Sequence, residues 1–238
     1  MIAAMLRVKN EARWIGRVID SIRPLCNPII VLDDHSDDGT QRICREHECI
    51  VIDSPFDGLD ESRDKEYLLR KALDFDPEYV LCIDGDEILE PNGPQKIRAA
   101  IQDNPNHVSF SLRVLYLWNS YTDIRTDGVY GRFSRPSLCK VMDCIHFAGT
   151  GNGGNFHCGN VPRNLRGPIT KLDVALLHTG YMLREDRIRK YEWYNHQDPG
   201  NVVEDGYKHV VIDHVPWILV VVPLVLSDSV PAEHVARV

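Results

Sequence analysis

The chain has 238 residues, with 27 Lys and Arg against 35 Asp and Glu and a formal net charge of −8. That length suits one large core, since single cores stop growing at about 250–300 residues, and 43% apolar residues exclude a wholly disordered chain. The acidic balance excludes a general nucleic-acid binder, which needs a basic face.

Seven scattered cysteines without a C-x-x-C pair read as small hydrophobes of a reduced compartment. Cys44, His47 and Cys49 are too few for a structural zinc site, which takes four ligands. No charged stretch followed by an apolar run marks a secretory signal. The apolar stretch 215–226 is too short to span a bilayer and contains Pro216 and Pro223. The expectation is a soluble, cytoplasmic protein without a transmembrane segment, with room for peripheral membrane contact and for a homo-oligomer.

In chain order, short apolar runs alternate with helical patterns, as in an α/β domain with a mostly parallel central sheet flanked by helices. The pattern predicts a strand over 2–8 and a helix over 10–22, with Trp14, Ile15, Val18, Ile19 and Ile22 on one stripe. A strand over 28–32 runs into Asp33-Asp34-His35-Ser36-Asp37-Asp38-Gly39-Thr40. A helix over 40–46, a strand over 50–53 and a helix over 62–73 follow. The strand at 79–83 ends in Asp84-Gly85-Asp86-Glu87. Residues 108–118 read as a long strand too polar on alternate positions to be buried on both faces. Residues 126–168, rich in Gly, Asn, Pro and Arg, read as mobile loop and short strands. A strand over 172–177 and a helix over 185–196 close the interpretable part. The whole is expected to form one domain over 1–238: a nucleotide-binding half (1–90), an acceptor and metal half (91–200), and an extension (201–238) without an assigned role.

Ligands of open α/β sheets bind beyond the carboxyl ends of the parallel strands. Two of the expected strands end there in carboxylates, Asp33 and Asp34 after one, Asp84 and Asp86 after the other. Carboxylates crowded on one edge repel each other unless a cation sits among them. A hard divalent cation, shared with substrate phosphates, satisfies Asp84 and Asp86.

These residues carry a resemblance. The segment 31–40 resembles the V-D-D-x-S-x-D-G-T segment of inverting family 2 glycosyltransferases, and 80–87 resembles that family's DxD segment. Asn10-Glu11 fits the N-E after the family's first strand. Leu177-His178-Thr179-Gly180-Tyr181, followed by Glu185-Asp186-Arg187 and Lys190-Tyr191, resembles the late H-x-G-Y and helix of many bacterial members. The resemblance implies the GT-A fold, a Rossmann-like nucleotide-diphospho-sugar transferase architecture, and a metal-dependent hexosyltransferase-type enzyme. Such an enzyme moves a sugar, with inversion, from a nucleotide diphosphate to an acceptor hydroxyl.

It also implies roles. Asp33 and Asp34 would hold base and ribose, with Arg7 and Lys9 lining the base pocket and Arg63 near base and diphosphate. A carboxylate accepts the ring N–H of uracil, which puts a UDP-sugar first and thymidine or guanosine forms behind it. Asp84 would serve both nucleotide and metal. Asp86 and His178 would complete a site for Mn²⁺ or Mg²⁺; imidazole suits Mn²⁺ better. The Gly/Asn-rich stretch 149–159 would form the acceptor side and close over the donor.

The chain departs from the family at the general base. Many members carry His-Glu after a Gly-containing segment, whereas this chain has Ile145-His146-Phe147; Arg132-Phe133 does resemble the preceding R-L-F. Asp143 and His146 are the candidate bases, by position. Two alternatives stand beside this reading. Asp84-Gly85-Asp86-Glu87-Ile88 also resembles the nucleophile motif of haloacid-dehalogenase-like phosphatases, and the missing His-Glu fits a catalytically inactive nucleotide-sugar-binding domain.

Overall fold

In the computed structural model, which describes residues 1–128, 130–147, 158–198, 200, 203–212 and 217–219, the chain opens with β1 (Ile2–Val8), α1 (Ile15–Ile22), β2 (Ile29–Asp33), α2 (Thr40–Glu46) and β3 (Ile50–Asp53). It continues through α3 (Glu61–Leu73), β4 (Tyr79–Cys82), β5 (Glu87–Leu89), α4 (Gly93–Asp103) and β6 (Ser109–Tyr116). Then come β7 (Asp123–Arg125), β8 (Ser134–Lys140), β9 (Ile169–His178), α5 (Arg184–Gln197), a 3-10 segment (Val203–Val210) and β10 (Trp217–Leu219).

Eight strands form one sheet in the order β3-β2-β1-β4-β8-β6-β9-β5, and β10 and β7 form a separate pair. β3, β2, β1 and β4 run parallel. β8 is antiparallel to both β4 and β6, β9 is parallel to β6, and β5 is antiparallel to β9. Six strands therefore point one way, and only β8 and β5 oppose them. The central strands β1, β2 and β4 bury both faces, with alternate residues serving opposite layers, whereas the edge strand β3 is largely exposed. Ala4, Leu6 and Val8 of β1 meet Ile15, Val18, Ile19 and Ile22 of α1 and Ile97 of α4. Ala3 and Met5 meet Leu68, Leu69 and Ala72 of α3.

Most expected elements are present within a residue or two, and the differences have physical causes. α1 starts at Ile15, five residues later than the apolar stripe implies. The N–H groups of Asn10, Glu11 and Ala12 are instead taken by Ser36 Oγ, Thr40 Oγ1 and Asp38 Oδ2 at 2.8–2.9 Å, and Asn10 sits at φ 55°. β6 is buried on both faces over most of its length because it lies between β8 and β9; Ser109 and Ser111 are buried, and Ser109 Oγ donates to Leu138 O at 3.2 Å.

The stretch read as mobile loop and short strands holds β8, a seven-residue strand in the middle of the sheet. Pro136 hid it, since a proline withholds a ladder hydrogen bond; the β6–β8 register shifts where Ser111 faces Pro136. β5 and α4 are not among the expected elements. Among the described residues no helix is long and apolar enough to cross a membrane. The stretches 148–157 and 220–238 lie outside the described residues, and with them most of the Gly/Asn-rich segment and of the apolar run 215–226.

Candidate functional site

The carboxyl ends of β1, β2, β4, β6 and β9 meet on one edge of the sheet, and the charged residues of the chain's motifs cluster there. The loop after β1 is tied to the loop after β2 by the three bonds from Asn10, Glu11 and Ala12, and by Asn10 Oδ1, which accepts Asp37 N–H at 3.0 Å. Gly39 closes this second loop at φ 94°, a conformation that favours glycine. The acidic segment after β2 thus braces its neighbour with most of its side chains.

The two leading carboxylates have different surroundings. Asp33 is fully buried; its Oδ2 accepts from Ser36 N–H at 2.9 Å and from Gln41 Nε2 at 2.8 Å. Asp34 holds Arg7 Nη2 at 2.8 Å and Lys9 Nζ at 3.5 Å. Arg7 Nε in turn donates to Asp64 at 2.7 Å. Asp34 and Asp64 therefore aim the Arg7 guanidinium, and Arg7 and Lys9 both line a cleft at the sheet edge. Arg63 is not among the lining residues. It lies over the Phe56 ring at 4.3 Å and donates to Gly58 O and Asp64 Oδ1, so it shapes the loop before α3.

The Asp-Gly-Asp segment after β4 packs against the end of β1 and the loop that follows it. Gly85 leaves no room for a Cβ, which would stand 2.9 Å from Val8 Cγ1 and 3.1 Å from Glu11 Cγ. Asp84 Oδ2 pairs with Arg135 Nη1 at 3.2 Å, and Arg135 Nη2 also donates to the buried Glu87. Burial, opposed by Arg135, pushes Glu87 up to about 7. β5 pairs Glu87 with His178 at the end of β9, and this places the imidazole Nε2 at 3.9 Å from Asp86 Oδ2.

The same oxygen accepts Lys190 Nζ at 2.5 Å. Burial alone would raise Asp86, but His178 and Lys190 hold it well below the usual carboxylate range. Burial lowers His178, against the pull of Asp86. Gly180 makes the arrangement possible: a Cβ there would collide with Asp86 Oδ2 and Lys190 Nζ.

An ionised carboxylate and a neutral imidazole are suitable donors for Mn²⁺ or Mg²⁺, cations commonly held by one or two protein ligands plus substrate phosphate and water. Asp86 and His178 fit that chemistry. Asp84 is turned to Arg135, and among the described residues no three His, Cys, Asp or Glu side chains converge as a ready-made cation site. Asp84, Asp86 and His178, the residues expected to hold the cation, all line the same cleft.

The cleft encloses about 740 Å³, within the ordinary range for small-molecule sites. Tyr116, Phe133, Tyr181 and Trp193 supply its apolar wall, and Glu11, Glu61, Lys65 and Arg189 add to its charge. Lys65 is nearly buried and bonds Cys158 O at 2.7 Å and Asn160 Oδ1 at 3.1 Å; Asn160 Nδ2 reaches Cys82 O. That bridge ties α3 and β4 to Cys158 and Gly159, the two residues of the Gly/Asn-rich stretch that are described, and both line the cleft.

The structure does not bring the candidate bases here. β8 runs away from this edge, its last residue Lys140 pairing with Tyr79 at the start of β4. Asp143 follows it and is exposed. His146 lies beside α3, its N–H on Asn164 and the next N–H on Glu66; neither Asp143 nor His146 lines the cleft. The sequence reading missed Arg135, Lys65 and Asn160, and gave Glu11 and Lys190 no role. Arg135 lies three residues beyond the motif-like Arg132, the one signal that pointed near it.

The family model for glycosyl transferase family 2 matches residues 5–157. An uncharacterised protein of Mycobacterium tuberculosis is 27% identical over 83% of this chain and 51% of its own length. A protein of Rickettsia bellii, described as an uncharacterised glycosyltransferase, is 24% identical over 87% of this chain and 69% of its own. The chain spans about half the length of the mycobacterial relatives it matches. The crystal structure of TarS from S. aureus covers 88% of this chain, and 42% of its own, with TM-score 0.53 and 13% identity. A shorter form, solved in complex with UDP-GlcNAc, gives TM-score 0.50 at the same identity, over 88% of this chain and 70% of its own.

Proposed function

The chain belongs to glycosyl transferase family 2, and from that premise we propose that it moves a sugar, with inversion, from a uridine diphosphate donor to an acceptor hydroxyl. One observation carries the reading: the Asp86 carboxylate and the His178 imidazole, 3.9 Å apart, sit in a strand-edge cleft that Arg7 and Lys9 also line.

The base and ribose lie on the side of Asp33, Asp34, Arg7 and Lys9. Asp34 accepts the uracil ring N–H or fixes Arg7 for the nucleotide, and Asp33 keeps the loop in place. The diphosphate then reaches the Asp84–Asp86 segment. Asp86 and His178 hold the divalent cation, with Asp84 close by. That cation, when bound, neutralises charge on the leaving diphosphate. Arg135, Lys65, Arg189 and Lys190 add positive potential along the same wall, and Arg135 keeps Asp84 ionised. The aromatic wall of Tyr116, Tyr181 and Trp193 gives an apolar face on which a sugar ring can lie and from which bulk water is partly excluded. The 1–90 half supplies the nucleotide side together with Asp84 and Asp86, and the 91–200 half supplies His178 and the acceptor side.

The test is the release of UDP from UDP-sugars with Mn²⁺ present. Slow, metal-dependent release that disappears in Asp86→Asn supports transfer chemistry. Inorganic phosphate released from a monoester instead points to the phosphatase reading, and donor binding without release points to a binding domain.

A further inference from the structure

Lys190 lies on α5, 104 residues from Asp86, yet its ammonium takes the Asp86 Oδ2 that faces His178. Both partners are nearly buried, with side chains 17% and 4% exposed. Gly180, lacking a side chain, leaves the gap in which they meet. A divalent cation held between Asp86 and His178 would use the carboxylate oxygen nearest the imidazole, the one Lys190 already holds, and two cations at close range on one oxygen repel each other strongly.

Resting on the metal-site reading above, we infer that Lys190 is a built-in competitor for the divalent cation. In the free protein it neutralises Asp86 and keeps the metal out. When a nucleoside diphosphate enters, its phosphates offer Lys190 a second anionic partner, for Lys190 and its neighbour Arg189 both line the cleft. Lys190 exchanges Asp86 for phosphate, and the vacated carboxylate takes the metal. Metal and nucleotide therefore bind cooperatively: each is weak alone and tight with the other, as linkage requires of any such coupling. The device protects against a metal-loaded but donor-free site and ties the catalytic cation to the presence of its substrate.

Free Mn²⁺ followed by electron paramagnetic resonance reads this without turnover. The measurement is made on the whole chain, alone and with UDP, for the wild type, Lys190→Met, Lys190→Gln and Asp86→Asn, with thermal unfolding to show that each is folded. The wild type is expected to bind Mn²⁺ weakly alone and about tenfold or more tightly with UDP. Lys190→Met and Lys190→Gln are expected to bind Mn²⁺ alone about tenfold more tightly than the wild type, and to gain less from UDP. Asp86→Asn should lose the site. If the wild type binds Mn²⁺ equally well with and without UDP, the inference is overturned whatever the variants do. It is overturned too if folded Lys190 variants bind Mn²⁺ alone no more tightly while Asp86→Asn still removes the site; the metal-site reading would then stand. Absence of Mn²⁺ binding in every form would sink both.

Discussion

At the scale of single residues, the site is an exchange of opposite charges at short range. Asp34 is the residue through which nucleotide recognition is most directly tested, because it both aims Arg7 and lies beside the cleft. Asp34→Ala is expected to weaken UDP binding by about 1.5–3 kcal/mol, the usual worth of a hydrogen bond to a charged group. Asp33→Ala, by contrast, should lower thermal stability, since its partners are Ser36 N–H and Gln41 within the protein. Titration calorimetry and thermal unfolding separate the two; unchanged UDP affinity in both variants would remove the carboxylates from the nucleotide site.

Glu11 gives a pH signature. Burial, with Asp86 adding to it and Lys190 opposing, raises its carboxyl from 4.5 to about 8. The folded state thus holds a proton that the unfolded chain gives up near pH 4.5. The stability this contributes is full below pH 4.5 and is lost as pH rises through about 8. Glu11→Gln should flatten the decline between those values, and a decline identical to the wild type's would mean that Glu11 titrates normally.

At the scale of elements, what was legible followed periodicity, and what was not followed long-range pairing. Strands β1, β2, β3 and β4 and helices α2 and α3 show themselves through uninterrupted apolar runs and local caps. α3 is an instance: Asp60 Oδ1 accepts Arg63 N–H at 3.0 Å, one of the N–H groups that a helix start leaves unpaired. Asp60→Ala should cost about 1 kcal/mol in urea unfolding; no measurable loss would mean that the cap is replaced by water. β8 is the opposite case. Only Leu138 and Cys139 in its sequence look like a core strand, and it is held by neighbours far along the chain, β4 and β6. The late start of α1 likewise depends on side chains 26 to 29 residues away, which no window on 10–22 contains.

At the scale of the whole molecule, the same division separates the parts of the site. The carboxylates stood out because they end apolar strands, and His178 because it ends another. Their partners did not. Arg135 lies on the strand that the sequence hid, and Lys190 reaches Asp86 only because β9 and α5 return to the sheet edge beside β5. Asp143 and His146 have only their position in a motif to recommend them, and the direction of β8 carries them away from the cleft. The fold brings the Arg7–Asp34 cluster and the Asp86–His178 cluster to one edge from distant stretches of chain, and the proposed function stands or falls on their acting on one ligand. Calorimetric titration of UDP into the protein, with and without Mn²⁺ and repeated with Asp86→Asn, tests this most directly. The account predicts UDP binding that Mn²⁺ strengthens and that loses this strengthening in Asp86→Asn; absence of UDP binding, or binding indifferent to both Mn²⁺ and Asp86, would contradict it.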